Sequence, residues 1–189
     1  MIKFIICFTI CFATNPLDKW IDEHADILKQ DIKSVSFHLT FDSEIYDNWN
    51  DSTVTGKITV GKKKQFLFEL GPRTVVSDGK VWKSYDERTN QIFIQEPDNQ
   101  LEKALFSWVQ YKRIKALPVT REEDGGYRIK LLGKENDIRA YFDLSSGELQ
   151  SIIIIQSDIK SEISNISLAK EEIIDLKIGQ ENTDIFDLR

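Results

Sequence analysis

The stretch from residue 66 to residue 94 constrains the fold of this chain more than any other part of the sequence. Its first segment, FLFEL at 66–70, places large apolar residues at every second position, which is typical of a strand with one buried face. Turn signals at Gly71-Pro72, Asp78-Gly79 and 86–90 interrupt the pattern, and a strand-like run follows each of them. The stretch therefore predicts three or four consecutive antiparallel strands, with a two-residue type I′ turn at Asp78-Gly79.

The same stretch carries an ordered set of residues. It contains Val75-Val76-Ser77-Asp78-Gly79-Lys80, then Trp82, Tyr85-Asp86 and Asn90-Gln91-Ile92. This set resembles the signature of the periplasmic outer-membrane lipoprotein carrier proteins (the LolA family), and a weaker likeness covers most of the chain after residue 13. One departure is visible. Trp82 lies three residues before Tyr85 instead of two, which predicts that the two side chains lie on opposite faces of the strand.

The composition indicates one globular domain. The 189 residues are enough for a sizeable core, and the contents of 41% hydrophobic and 30% charged residues are ordinary for such a domain. The net charge of -6 argues against nucleic acid as a partner, because phosphate binding needs a basic surface. Both cysteines, Cys7 and Cys11, lie near the N-terminus, so we expect no disulfide framework or thiolate metal site after them.

Residues 1–13 predict a signal peptide. A single positive charge at Lys3 precedes a short apolar run that ends at the small residue Ala13. The run is shorter than the roughly 20 residues that span a bilayer, and the alternative is a buried strand or helix at the start of the domain. We therefore expect the domain to comprise residues 14–189 and to be exported in soluble form to the periplasm.

Outside the central stretch, helical and strand patterns alternate. Asn15-Pro16 predicts the start of a helix, and His24 lies on its apolar stripe, where we expect a packed residue and not a metal ligand. The later predicted elements are strands at 32–46 and 53–60, a short helix at 98–108, hairpins at 118–132 and 138–157, and shorter strand patterns in 162–188.

Together these elements predict an α+β fold. Consecutive strands linked by turns form an antiparallel sheet, and a sheet of so many twisted strands tends to curl. The expected architecture is an incomplete, strongly curved antiparallel β-barrel with helices lidding the open side. The resemblance implies the same architecture, with apolar groups lining the inside.

Catalytic motifs are missing from the sequence. It has only two histidines, no serine in a nucleophile-elbow context and no glycine-rich phosphate loop. The acidic residues are plentiful but scattered over polar faces and turns. We therefore expect neither an enzyme nor a metal or cofactor.

The candidate lipid-binding residues are apolar side chains from strands and from the predicted lid helix. They are Phe37, Leu39, Phe41, Phe66, Phe68, Trp82, Leu101, Leu105 and Trp108. Each of them could equally be an ordinary core residue, because aromatic stripes normally pack a core.

The basic turn before residue 66 is a second candidate feature. The family usually has an Arg followed by Pro at this place, and the resemblance links that Arg to cargo handling. This chain has Lys62-Lys63-Lys64 instead, and Lys lacks the planar donor fork of Arg. Lys62 and Lys63 are therefore weak cargo-handling candidates, and a solvated turn is the alternative.

The resemblance implies a periplasmic chaperone that shields acyl chains and carries lipoproteins toward the outer membrane. An acyl chain left in water costs about 0.8 kcal/mol per CH₂, and an apolar hollow removes that cost. The implied partners are acylated lipoproteins or lipids, an inner-membrane releasing complex and an outer-membrane acceptor, and we expect a monomer. Two alternatives remain open: an envelope lipid-sensing or glycolipid-binding domain of the same fold without shuttle activity, and a structural β-domain with a filled core.

Overall fold

The structure is a computed structural model of the 189-residue chain. It describes residues 15–42, 53–98, 112, 115, 118–123, 126–129, 136–143, 145–156 and 159–189. The predicted signal peptide at 1–13 and nearly all of the predicted helix at 98–108 lie outside the described residues. None of the helical segments in the described part has the length and apolar composition that crossing a membrane requires.

Strands make up most of the described part. The helices are α1 at Pro16–Glu23 and α2 at Ala25–Leu28, with a 3₁₀ turn at Lys62–Lys64. The strands are β1 Lys33–Asp42, β2 Thr53–Val60, β3 Gln65–Leu70, β4 Arg73–Asp78, β5 Trp82–Asp86, β6 Gln91–Gln95, β7 Val119–Arg121, β8 Tyr127–Ile129, β9 Asn136–Phe142, β10 Leu149–Gln156, β11 Ile159–Lys170 and β12 Asp184–Asp187. The central stretch of the sequence thus forms the four strands β3 to β6.

The strands of the described residues form one sheet in the order β12-β6-β5-β4-β3-β2-β1-β11-β10-β9-β8-β7. Two antiparallel meanders, β1 to β6 and β7 to β11, join where β1 pairs with β11. The sheet is curved and does not close, which confirms the predicted incomplete antiparallel β-barrel of the α+β class. One pair differs from the prediction, because β12 lies parallel to β6.

Helix α1 begins as the sequence predicts. The side chain of Asn15 accepts a hydrogen bond from the backbone N–H of Leu17 at 3.1 Å, and Pro16 occupies the first turn, where no intrahelical donor is needed. At the other end, the ring of His24 lies 4.7 Å from that of Trp20, and its Nδ1 lies 2.9 Å from the Trp20 carbonyl oxygen. His24 is thus packed and hydrogen-bonded as predicted, although it is half-buried and not part of the buried core.

The turn at Asp78-Gly79 differs from the predicted type I′ turn. Strands β4 and β5 last pair at Ser77 and Trp82, so residues 78–81 form a four-residue connection. A type I′ turn needs positive φ at both central residues, but only Gly79 has it here, at 90°. The Asp78 carboxylate instead accepts the backbone N–H groups of the two residues that follow Gly79, at 2.8 and 3.1 Å, and this side-chain turn replaces the backbone turn.

The C-terminal part of the chain was predicted to contain short strand patterns. The observed β11 is instead a 12-residue strand, and residues 171–183 then cross the sheet without pairing. We call residues 171–183 the C-terminal strap. Within the strap, Ile174, Leu176 and Ile178 are half-buried while the residues between them are exposed. In the sequence, this period-two pattern looks like that of a strand. In the structure, the strap packs its half-buried side chains onto the sheet and forms no hydrogen-bonded ladder with it.

The strap is attached at both ends. At its start, the Glu171 carboxylate accepts hydrogen bonds from the Ser34 hydroxyl at 2.6 Å and the Lys57 ammonium at 2.8 Å. At its end, the Thr183 hydroxyl donates to the Asn90 side chain at 2.8 Å. The Tyr85 hydroxyl donates to the same amide oxygen at 3.3 Å. Two residues of the signature, Tyr85 and Asn90, thus hold the strap in place before β12 joins β6.

Candidate functional site

The two faces of the sheet carry different side chains. Helix α1 packs against Ala140 and Phe142 of β9, and we call this side of the sheet the helix face and the other side the back face. Directly paired residues on neighbouring strands point to the same side of a sheet. The pairs therefore show, strand by strand, which residues lie on the helix face. Ala140 pairs with Ile152, Ile152 with Ile163, and Ile163 with Leu39 of β1. The candidate residue Leu39 therefore lies on the helix face.

Two rows of apolar side chains cross β1 to β5 on the helix face. In the first, Val35 pairs with Ile58, Ile58 with Phe68, and Phe68 with Val75. The second row runs parallel to it and consists of Val60, Phe66, Ser77 and Trp82, each paired with the next. We call the apolar members of both rows, together with Phe37, the aromatic cluster.

The predicted strand residues differ in how deeply they are buried on this face. Phe66 and Trp82 are 1% and 5% exposed, and their rings meet edge to face with centroids 5.4 Å apart. Phe37, Phe68 and Leu39 are half-buried. The structure therefore brings all five onto one face, with a buried aromatic pair and three partly accessible side chains.

Phe37 occupies space that a glycine leaves open. It pairs across the ladder with Gly56, and a Cβ at Gly56 would lie 2.5 Å from the Phe37 ring. Gly56 therefore makes room for an aromatic ring on the helix face. The sequence showed the glycine but not the ring that fills its place.

The side chains of the remaining candidates lie outside the described residues. The side chain of Phe41 lies outside the described part, although its backbone pairs with Ser161 in the β1–β11 ladder. Leu101, Leu105 and Trp108 of the predicted lid helix also lie outside the described residues.

A second apolar cluster lies under α1. It contains Leu17, Trp20, Ile21, Leu28, Ala140 and Phe142, all of them buried. The two clusters meet in the ladder where Val35 of β1 pairs with Leu168 of β11. The helix face thus has one part that α1 covers, over β7 to β11, and an adjoining aromatic part over β1 to β5.

The indole nitrogen of Trp82 has no hydrogen-bond partner in the described part of the chain. It is the one buried side-chain nitrogen or oxygen without a partner that the described residues contain. Its polar neighbour in the ladder, Ser77, is fully buried and uses its hydroxyl oxygen to accept the Gly79 N–H at 3.0 Å. Sequence patterns could not reveal the unpaired indole N–H, because they show that Trp82 is on a strand but not which groups surround its side chain.

Trp82 and Tyr85 lie on opposite faces, as their spacing predicts. The β5 ladders on both sides run without a bulge, and Tyr85 pairs with Thr74 and Ile92 on the back face. The three-residue spacing therefore places the two side chains on opposite sides of the sheet. It places the indole in the aromatic cluster and the phenol beside the C-terminal strap.

The basic turn at Lys62–Lys64 is exposed on the surface. Lys62 forms a salt bridge with Asp31 at 2.8 Å, and both side chains are about two-thirds exposed. Lys63 has an exposed side chain and a φ of 54°. Its carbonyl oxygen lies under Gly79, where an added Cβ would come within 2.2 Å of it. The turn therefore packs its backbone against the 78–81 connection, and its lysine side chains are exposed.

One buried charge lies near the aromatic cluster. Lys33 pairs with Val60 on the helix face and is 7% exposed. Its ammonium donates to the carbonyl oxygens of Leu28 at 2.8 Å and Gln30 at 2.9 Å, which holds the end of α2 against β1. Burial lowers the pKa of Lys33, and the nearby Asp31 carboxylate opposes that shift. The charge is thus committed to the fold and not directed at a ligand.

Several of the described acidic residues serve turns and ion pairs. Asp86 accepts hydrogen bonds from Arg88, which is the main reason that its pKa falls to about 2. Asp143 lines a shallow polar hollow of about 520 Å³ beside residues 145–150, and hydrogen bonds from Ser145 and Ser146 lower its pKa to about 2. Among the described residues, no group of three or more His, Cys, Asp or Glu side chains could hold a metal ion.

Comparisons with known proteins give structural neighbours only. No family model matches the chain, and no curated protein matches it. Among solved structures, it is similar to an uncharacterized conserved protein from Thermus thermophilus, with 9% identity, a TM-score of 0.50, and coverage of 90% of this chain and 98% of that one. This likeness shows that the two chains share a fold.

Two further structures match less well. One is a LolA superfamily protein from Nitrosomonas europaea, with 9% identity, a TM-score of 0.44, and coverage of 84% of this chain and 94% of that chain. The other is MucB in complex with MucA(peri), with 14% identity, a TM-score of 0.31, and coverage of 86% of this chain and 60% of that one.

Proposed function

We propose that this chain is a periplasmic lipid-binding chaperone that shields acyl chains, and that it carries acylated lipoproteins toward the outer membrane. The observation that carries the proposal is the aromatic cluster. Its rows join the apolar side chains of neighbouring strands into one surface on the helix face, next to the core under α1. Such a surface can replace water around an acyl chain without any catalytic group.

The residue signature supports the same function. Tyr85 and Asn90 attach the C-terminal strap, and Trp82 contributes to the aromatic cluster, so the signature residues have defined positions in this fold. We further propose that the chain is not an enzyme. In the proposed role it receives acylated cargo from an inner-membrane releasing complex and delivers it to an outer-membrane acceptor.

A structural β-domain with a filled core is the competing function. The burial of Phe66 at 1% and Trp82 at 5% favours it, because side chains this well packed are ordinary in a core. The partial exposure of Phe37, Leu39 and Phe68 favours the binding surface. The two functions differ in whether an acyl chain binds at all.

Native mass spectrometry tests the proposal directly. We expect the protein purified from a periplasmic extract to have the mass of a chain that begins near Thr14 and to retain a bound lipid or lipoprotein. A protein of full-length mass without bound lipid would contradict both the export and the carrier function.

A titration with a fluorescent fatty acid locates the site. We expect Phe68→Glu to weaken binding at least about tenfold, because a charge on the helix face opposes apolar burial. Thr55→Glu is the matched control, since Thr55 is exposed on the back face of β2 and should change the affinity less than about twofold. Equal effects of the two substitutions would remove the site from the helix face.

A further inference from the structure

The Trp82 indole N–H is a buried donor that the described part of the chain leaves unsatisfied. Trp82 is 5% exposed, and its nitrogen contacts no acceptor among the described residues. Buried side-chain donors in folded proteins are paired in the large majority of cases, because an unpaired donor loses its bonds to water without compensation. An orphaned donor inside a proposed binding surface therefore points to an acceptor that arrives with a ligand.

The surroundings of the indole restrict what that acceptor can be. Its neighbours in the aromatic cluster are apolar, and Phe66 meets it edge to face. Lys33, the one buried cation of this face in the described residues, already donates to two backbone carbonyls. A carboxylate or phosphate would therefore enter without a counter-charge, whereas a neutral carbonyl needs only one hydrogen bond.

We propose that Trp82 Nε1 donates a hydrogen bond to the carbonyl oxygen of an ester-linked or amide-linked acyl chain bound on the helix face. This inference rests on the proposed function and adds a chemical preference to it. The apolar rows accept the hydrocarbon of any chain, while the indole distinguishes acyl groups from alkyl groups of the same length. Trp82 thus discriminates between acyl chains joined to the cargo through an ester or amide and alkyl chains that lack the carbonyl.

A matched pair of ligands tests the preference. A monoacylglycerol with a long saturated chain carries one ester carbonyl, and its alkyl-ether counterpart has the same chain length and headgroup without the carbonyl. Both are titrated below their micelle-forming concentrations by displacement of the fluorescent fatty acid. We expect the wild-type protein to bind the ester about tenfold more tightly, since one hydrogen bond to a desolvated donor is gained.

Substitution at residue 82 connects the preference to the N–H. Replacing Trp82 with benzothienylalanine keeps the bicyclic shape and puts sulfur in place of the N–H. This variant should bind ester and ether equally, with the affinity of the wild-type protein for the ether. Trp20→Phe is the control, because Trp20 lies in the cluster under α1, and it should keep the ester preference.

An NMR measurement gives a readout that does not depend on any variant folding. The proton resonance of the Trp82 indole N–H should move downfield when the ester binds and should not move in this way with the ether. Equal affinities for ester and ether, no downfield shift, or an ester preference that survives the benzothienyl substitution would each overturn the inference and leave the proposed function standing. Failure of both ligands to bind would overturn the proposed function together with the inference.

Discussion

Gly79 shows how one residue joins two neighbouring turns of the sheet. Its φ of 90° lies in the region that side chains disfavour, and a Cβ there would come within 2.2 Å of the Lys63 carbonyl oxygen. The Asp-Gly pair was recognisable as a turn in the sequence. The turn type was not, because it depends on the Asp78 carboxylate and on a backbone group from a different turn.

Substituting Gly79 and comparing it with a second glycine separates the cost of a positive φ from the cost of the clash with the Lys63 carbonyl oxygen. Gly79→Ala should lower the free energy of unfolding by about 2–4 kcal/mol, because it adds a backbone clash to the dihedral cost. Gly147→Ala is the control. Gly147 has a φ of 78°, but an added Cβ there meets only the flexible end of Lys19, so we expect about 1–2 kcal/mol. Urea unfolding of both variants measures the difference, and equal losses would show that the contact with Lys63 is unimportant.

At the scale of elements, the C-terminal strap is the part that sequence patterns described least well. Its period-two pattern at residues 174–178 is that of a strand, and period alone does not show whether a ladder partner exists. Its attachment depends on contacts far apart in the chain, such as Glu171 with Ser34 and Lys57. The parallel pairing of β12 with β6 follows from this crossing, because the chain returns to the far edge of the sheet.

The strap predicts a pH dependence of stability. Hydrogen bonds from Lys57 and Ser34 lower the pKa of Glu171 below its ordinary value of 4.5. A carboxylate with a depressed pKa in the folded state contributes stability above its unfolded pKa, and that contribution disappears as the pH falls through the folded pKa. Glu171→Gln should therefore cost about 1 kcal/mol at pH 7, and the difference from wild type should shrink steadily below pH 4.5.

Urea unfolding at pH 7 and at about pH 3 measures this difference. Glu172→Gln is the matched control, because Glu172 is exposed beside Glu171, and it should be neutral at both values. If the cost of Glu171→Gln were the same at the two pH values, the carboxylate charge would have no part in holding the strap.

At the scale of the whole molecule, the sequence predicted the architecture better than the site. Alternation and turn signals in 66–94 were sufficient for the meander, because they act through local geometry and neighbouring strands. The pairing of β1 with β11 joins distant parts of the chain, and no local pattern encodes it. Likewise, parity placed Phe66 and Phe68 on one face, but it could not show that the first is buried and the second only half-buried.

This difference in burial yields a test that distinguishes a carrier from a filled domain. Phe66 is packed against Trp82, so Phe66→Ala should cost about 3–5 kcal/mol under either function. For a carrier, Phe68→Ala should cost only about 1–2 kcal/mol, because little new cavity forms, and it should weaken binding of the fluorescent fatty acid. Phe142→Ala, under α1, is the control, and it should cost about as much as Phe66→Ala without changing the affinity of the folded protein. Melting curves and probe titrations on the three variants distinguish an acyl-binding surface from a filled core. If Phe68→Ala lowers the stability as much as Phe66→Ala and the wild-type protein binds no probe, the aromatic cluster is an ordinary core.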